Sequence, residues 1–246
     1  MLEELASQAF WLGLLKIIGV NVILSGDNAV VIALAARSLP AKQQKQAIFW
    51  GAGAAIVLRI LLTLFAVALL ALPWLKLVGS LLLFWIGIKL LIPEDEDPDI
   101  QASEHLLSAI KTILIADLVM SLDNVIAVAA AAGGSVVLLI LGLAISIPLV
   151  IFGATLLIKL MERFPVIITI GAGLIGWVAG EMLVADAGLA PWLSGLGVAY
   201  QGGRPYVGAV NLELIAGVAG VGVVIVAGKW FAKRKALEAE PTIPAP

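Results

Sequence analysis

The segment "NVILSGDNAVVIALAA", Asn21 to Ala36, is apolar over the length of a helix and yet carries Asp27 and Asn28 near its centre. An ionised carboxylate in hydrocarbon is costly unless another group compensates its charge. The rest of the chain is equally apolar, with 62% hydrophobic and 13% charged residues. Ordinary globular domains are about 45–50% apolar and 25% charged. The composition therefore predicts a membrane protein.

The apolar runs are about 20 residues long, which is the length a helix needs to cross a hydrocarbon core of about 30 Å. Strands of a membrane barrel would instead alternate over about ten residues. The sequence predicts an all-α membrane protein that forms a single transmembrane domain, residues 1–246. Its seven predicted helices are 11–36, 47–70, 75–92, 107–132, 136–160, 165–185 and 210–231.

The opening segment recurs as "DLVMSLDNVIAVAAAA", Asp117 to Ala132, and the two align without a gap. Each copy lies in a set of three predicted helices, so the second set enters the membrane from the opposite side. The pattern predicts a 3+3 inverted repeat with a C-terminal seventh helix. The predicted parts are the repeats 11–92 and 107–185, an acidic cytoplasmic loop 93–106, an extracytoplasmic loop 186–209, the seventh helix 210–231 and a cytoplasmic tail 232–246.

Basic residues follow the first, third, fifth and seventh predicted helices, all on one side of the membrane. The positive-inside rule therefore predicts a multi-pass protein with its N-terminus outside and its C-terminus in the cytoplasm. The formal net charge of −2 argues against a nucleic-acid partner. Cysteine is absent from the sequence, which excludes disulfides and thiolate metal ligands.

The repeated Ser-x-Asp-Asn motif predicts a cation site, because two facing carboxylates repel each other unless a cation neutralises both. Inverted-repeat transporters place substrate sites near the bilayer midplane. Side-chain oxygens suit Mn²⁺, Mg²⁺ or Ca²⁺ as the transported ligand. The sequence predicts no prosthetic group and no catalytic residue. The candidate metal ligands are Asp27, Asn28, Asp123 and Asn124, and additional candidate ligands or pathway residues are Ser25, Ser121, Asn21, Asp117, Arg59 and Glu181.

Adjacent Asp and Asn side chains diverge by about 100° on a regular helix, so both bind one ion most easily where the helix opens. Gly26 predicts such an opening in the first helix, whereas Leu122 predicts a regular fourth helix. Two interpretations of Arg59 remain open: it pairs with a site carboxylate when metal is absent, or it is a snorkelling or structurally paired arginine. Asp117 either guides ions inward or is solvated, and Glu181 is a candidate exit residue.

The "SGDNAVVIA" and "SLDNVIAVA" segments, the 3+3 layout and the seventh helix resemble the TerC family of integral membrane proteins, over about residues 10 to 231. That family is similar in fold to LysE-type exporters. The resemblance implies a manganese exporter of the bacterial inner membrane that serves metal homeostasis. It places the family's acidic motif on Asp27, Asn28, Asp123 and Asn124.

Several alternatives remain open on the sequence alone. The substrate could be Ca²⁺, another divalent cation or an amino acid. An intramembrane aspartyl protease also places two aspartates in two helices. A buried Asp could instead only fasten helices together by hydrogen bonds. The exact metal, the transport direction, proton coupling and the oligomeric state are not determined by these residues.

Overall fold

The structure of the protein is a computed structural model that describes residues 8–65, 72–93, 102–132, 135–202 and 204–238. Inside these ranges, the side chains that lie outside the description are Ala9, Ala102, Ser103, Asp123 and Ile126. The helices are α1 (Gln8–Leu24), α2 (Gly26–Ala36), α3 (Ala41–Leu64), α4 (Leu75–Leu91), α5 (Ala102–Ala132), α6 (Val136–Arg163), α7 (Val166–Val184), α8 (Ala190–Gly195) and α9 (Leu212–Glu238). The strands are β1 (Ala199–Gln201), β2 (Arg204–Val207) and β3 (Val210–Asn211).

Long apolar helices dominate the described part of the chain. Five of them, α3, α5, α6, α7 and α9, have the length and composition to cross a membrane. The pair α1 and α2, bent by 50°, gives a sixth span if it is counted as one broken helix. At 17 residues, α4 is about 26 Å long and shorter than a typical hydrocarbon core. The all-α membrane class fits the structure, whereas the seventh span and the inverted repeat remain predictions.

Three helices extend by five residues or more beyond their predicted bounds into polar sequence. Helix α3 begins at Ala41 rather than at 47, and residues 66–70 of that predicted helix lie outside the described residues. Helix α5 begins at Ala102, inside the predicted loop, whose residues 94–101 are not described. Helix α9 continues to Glu238, so the first part of the predicted tail is helical. Hydropathy marks only the membrane-embedded part of a helix, and Ala, Lys, Glu and Gln favour its continuation.

The predicted extracytoplasmic loop 186–209 contains a short helix and most of a small sheet. Strands β1, β2 and β3 form an antiparallel sheet in that order, with Tyr200 opposite Pro205 and Tyr206 opposite Asn211. Gly208, at φ 61°, lies in the turn between β2 and β3, where the left-handed backbone favours glycine. The strands are only two to four residues long. Hydropathy runs cannot reveal such short elements.

Asp186 ties this region to the start of α4, a contact that sequence analysis missed. Its side chain is 2% exposed. Oδ1 accepts hydrogen bonds from the backbone N–H groups of Trp74, at 3.0 Å, and Gly188, at 2.7 Å. Oδ2 accepts one from Leu77 at 3.0 Å. The carboxylate thus satisfies donors at the N-terminus of α4, where negative charge is favourable.

Close backbone contacts and a shared apolar core hold the helices together. Helix α7 packs against α4 and α9, α3 packs against α5, and α1 packs against α6. A Cβ atom placed on Gly176 of α7 would lie 2.5 Å from the carbonyl oxygen of Gly220 in α9, so these backbones touch. Large apolar side chains such as Phe152 and Val226 are about 70% exposed, as lipid-facing residues are. This packing brings α1, α2, α3 and α5 together around the polar residues.

Candidate cation site

The first copy of the motif lies at a break between two helices. Helix α1 ends at Leu24 and α2 begins at Gly26. In an unbroken helix the N–H of Asn28 would donate to the carbonyl of Leu24. Here Oδ1 of Asp27 accepts that N–H at 2.8 Å, and Nδ2 of Asn124 donates to the Leu24 carbonyl oxygen at 3.2 Å. The side chains of Asp27 and Asn124 therefore provide hydrogen bonds for the Asn28 N–H and the Leu24 carbonyl, which would bond each other in an unbroken helix.

The second copy of the motif lies in continuous helix. Helix α5 runs without interruption from Ala102 to Ala132. Leu122, which takes the place of Gly26, is 6% exposed and belongs to a buried cluster with Leu62 and Val125. This confirms that the first predicted helix, which is α1 and α2 in the structure, is opened and that the fourth predicted helix, which is part of α5, is more regular.

Asn28 is the unusual polar residue of the break. Its side chain is 3% exposed, and neither Oδ1 nor Nδ2 has a hydrogen-bond partner among the described residues. A buried polar group without a partner costs about 1–3 kcal/mol. The neighbouring Asp27 is only partly buried. An amide oxygen and a carboxylate at a helix break are together suited to a cation, because both provide oxygen ligands.

The proposed four-ligand set remains a prediction. Asp123 lies in α5, but its side chain is outside the described residues. Asn124 contacts the backbone of Leu24 through its Nδ2 atom, which leaves Oδ1 as its ligand atom. Within the described ranges, no group of three or more His, Asp or Glu side chains lies close enough together to hold a metal ion. A cation site here would depend on amide and backbone oxygens as well as on carboxylates.

A second polar cluster surrounds Arg59 of α3, which is 3% exposed. Its Nε donates to Oγ of Ser121 at 2.9 Å. Its Nη1 donates to Oδ1 of Asn21 at 2.8 Å and to Oγ of Ser25 at 3.0 Å. Its Nη2 forms an ion pair with Oδ1 of Asp117. Ser121 also donates to Oδ2 of Asp117 at 3.2 Å. The guanidinium thus joins three helices through four side chains.

This cluster excludes one interpretation of Arg59 and one interpretation of Asp117. The snorkelling interpretation of Arg59 is wrong, because the side chain is buried, and so is the solvated interpretation of Asp117, which is 5% exposed. Arg59 pairs with Asp117, which agrees with a structurally paired arginine, and a link between this pairing and the absence of metal stays a prediction. Glu181, half-buried in α7, is not among the four partners. Its role as an exit residue stays a prediction.

Comparison with known proteins gives a family and three relatives. The model of the integral membrane protein TerC family matches residues 6–236. The uncharacterized membrane protein YjbE of Bacillus subtilis (strain 168) is 45% identical over 185 residues, which are 75% of this chain and 85% of YjbE. YkoY is 28% identical over 69% of this chain and 58% of YkoY. YceF is 26% identical over 73% of this chain and 74% of YceF. Both are uncharacterized membrane proteins of the same organism. No solved structure matches the chain.

Proposed function

The chain belongs to the TerC family of integral membrane proteins, and from this membership we propose that it transports a hard divalent cation, with Mn²⁺ as the first candidate substrate. The observation that carries the proposal is the buried amide of Asn28, which has no partner among the described residues and lies beside Asp27 at a helix break. The ion is cargo rather than a cofactor. Export from the bacterial cytoplasm is the direction that the resemblance implies.

The ligand chemistry supports this substrate class. Asp27 supplies a carboxylate, Asn28 supplies an amide oxygen, and a helix break is a recurrent source of exposed carbonyl oxygens for cations. The proposal adds Asp123 and Asn124 from α5 as the opposing ligands. Such oxygen sets favour Mn²⁺, Mg²⁺ and Ca²⁺, whereas Zn²⁺ and Cu⁺ favour nitrogen and sulfur ligands.

The direct test is flux through purified protein in liposomes. Mn²⁺, Mg²⁺, Ca²⁺ and Zn²⁺ are each presented outside the liposomes, with and without a proton gradient. We expect Mn²⁺ flux with the wild type, its loss with Asn28→Ala, and its retention with Asn211→Ala. Asn211 is a matched control, because its side chain bonds Glu213 in the sheet region instead of facing the break. Flux of no divalent cation, or equal flux with both variants, would contradict the proposal.

The proposed orientation has its own test, since the natural chain contains no cysteine. Single cysteines are introduced at Lys42 and at Trp192, both exposed residues on opposite sides of the predicted membrane. In intact cells of a bacterial host, a membrane-impermeant thiol reagent should label the cysteine at Trp192 and miss that at Lys42. The reverse pattern would invert the orientation and with it the assignment of the cytoplasmic side.

A further inference from the structure

Four oxygen atoms hold the guanidinium of Arg59 inside the helix bundle, and we call them the arginine seat. They are Oδ1 of Asn21, Oγ of Ser25, Oδ1 of Asp117 and Oγ of Ser121. All four residues are at most 5% exposed. The seat combines two parts of the chain, because Asn21 lies in α1 and Ser25 at the break that follows it, whereas Asp117 and Ser121 lie in α5.

The chemistry of the arginine seat is that of a cation site. Carboxylate, amide carbonyl and hydroxyl oxygens are the ligands of hard divalent ions. A guanidinium has only donors, so each of these oxygen atoms already faces a positive charge. The two pairs are also equivalent in the repeated sequence, with Asn21 aligned to Asp117 and Ser25 aligned to Ser121. A set of matched oxygens from both copies of the motif thus surrounds one cation.

The seat lies next to the candidate cation site at the helix break. Ser25, at the break, belongs to the seat and precedes Asn28 by three residues, about one helical turn. Asn124 contacts the carbonyl of Leu24, which directly precedes Ser25. An ion held by Asn28 therefore has the seat as its immediate polar neighbour.

Repulsion between positive charges makes a guanidinium and a divalent ion alternative occupants of the seat. With Arg59 in place, its positive charge balances the carboxylate of Asp117. A second cation among the same oxygens would be repelled strongly, because charges interact over a low dielectric in the buried interior. Removal of the guanidinium alone would leave a buried carboxylate without compensation, which is also unfavourable. One cation at a time satisfies the seat.

We propose that the arginine seat is a second site for the transported divalent ion and that Arg59 fills it as a tethered cation when the ion is absent. This inference rests on the proposed transport function. The entering ion displaces the guanidinium from Asp117, and the returning guanidinium displaces the ion. The carboxylate is compensated at both stages.

The test measures the Mn²⁺ ions bound to purified protein across a Mn²⁺ titration up to saturation, from the electron paramagnetic resonance signal of free Mn²⁺. We expect Arg59→Gln and the wild type to bind the same number at saturation, and Arg59→Gln to fill the second site at a lower Mn²⁺ concentration because no guanidinium competes with the ion. The second ion should disappear in the double variant Arg59→Gln/Asp117→Asn. Arg163→Gln is the matched control, since it removes an exposed arginine at the end of α6 and should keep the wild-type titration curve.

The outcomes separate this inference from the proposed function. Identical Mn²⁺ titration curves for Arg59→Gln and the wild type overturn the second site, even if Asn28→Ala lowers the ion count and so supports the first. One ion in the wild type that Asp117→Asn removes and Asn28→Ala keeps supports the second site and removes the first.

A measurement on the wild type covers the case in which Arg59→Gln does not fold. Arginine-specific dicarbonyl labelling, read by mass spectrometry, should find Arg59 protected without metal and labelled in a saturable way with Mn²⁺. Arg163 should be labelled equally in both conditions. Protection of Arg59 that Mn²⁺ does not change would overturn the displacement.

Discussion

The two copies of the Ser-x-Asp-Asn motif adopt different structures. At Ser25 the first copy bends the chain by 50° between α1 and α2, whereas the second copy, around Ser121, continues as one helix of 31 residues. The sequences differ at the position between Ser and Asp, which is Gly26 in one and Leu122 in the other. A glycine inside a helix lowers the helix stability by about 1 kcal/mol relative to alanine, whereas a buried leucine stabilises a helix by removing apolar surface from solvent.

The break also depends on a partner from the other copy. Asn124 donates to the carbonyl of Leu24, while Asn28 has no described partner for its own amide. The regular helix thus supports the broken one, and the broken helix carries the polar group that lacks a partner. Similar motifs in the two copies therefore need not have similar roles, and the variants below compare the two copies directly.

The largest loss of stability is expected at Asp117, which is compared with the aligned Asn21. Asp117→Leu leaves the buried guanidinium of Arg59 without its ion-pair partner and should cost about 3–5 kcal/mol. Asn21→Leu removes a hydrogen bond to the same guanidinium and should cost about 1–3 kcal/mol. Unfolding in detergent measures both. The double variant Arg59→Met/Asp117→Leu should recover most of the loss, and equal losses in the single variants would refute the ranking.

An intermediate loss of stability is expected at Leu122, which is compared with the aligned Gly26. Leu122→Ala removes buried apolar volume and should cost about 2–5 kcal/mol. At Gly26 an added Cβ meets no atom within 4 Å, so Gly26→Ala should change stability by less than about 1 kcal/mol. The same unfolding assay compares them. A loss of similar size in Gly26→Ala would show that the break requires glycine itself.

The smallest loss of stability is expected at Asn124, which is compared with the aligned Asn28 in buffer without divalent ions. Asn124→Ala leaves the Leu24 carbonyl without its amide donor and should cost about 1–2 kcal/mol. Asn28→Ala removes a buried amide that has no described partner, so stability should be unchanged or slightly higher. A greater loss in Asn28→Ala than in Asn124→Ala would mean that the Asn28 amide has a structural role.

Local signals in the sequence predicted the apolar helices, the paired motifs and the break at Gly26. A further signal was present, because Asn21, Ser25 and Asn28 have the spacing of one helix face, as do Asp117, Ser121 and Asn124. That spacing points to two polar stripes and to the seat residues.

The remaining features depend on contacts between distant segments. Arg59 is 38 residues from Asn21 and 62 from Ser121, and Asp186 is 112 from Trp74. Helical periodicity relates residues within a few turns only and carries no information on such pairs. The partners of Arg59, and Asp186 as the cap at the N-terminus of α4, could therefore be identified only from the folded structure.

The central claim is that Asn28, at the broken helix, binds the transported ion. Its most direct test is the thermal unfolding of wild type, Asn28→Ala and Asn211→Ala across a Mn²⁺ titration, because an ion that binds only the folded state stabilises it by about 2.7 kcal/mol at 100 times its Kd. We predict saturable stabilisation of the wild type and Asn211→Ala, and a need for at least about tenfold more Mn²⁺ in Asn28→Ala, equivalent to about 1.4 kcal/mol. Identical titration curves for Asn28→Ala and the wild type would contradict the claim.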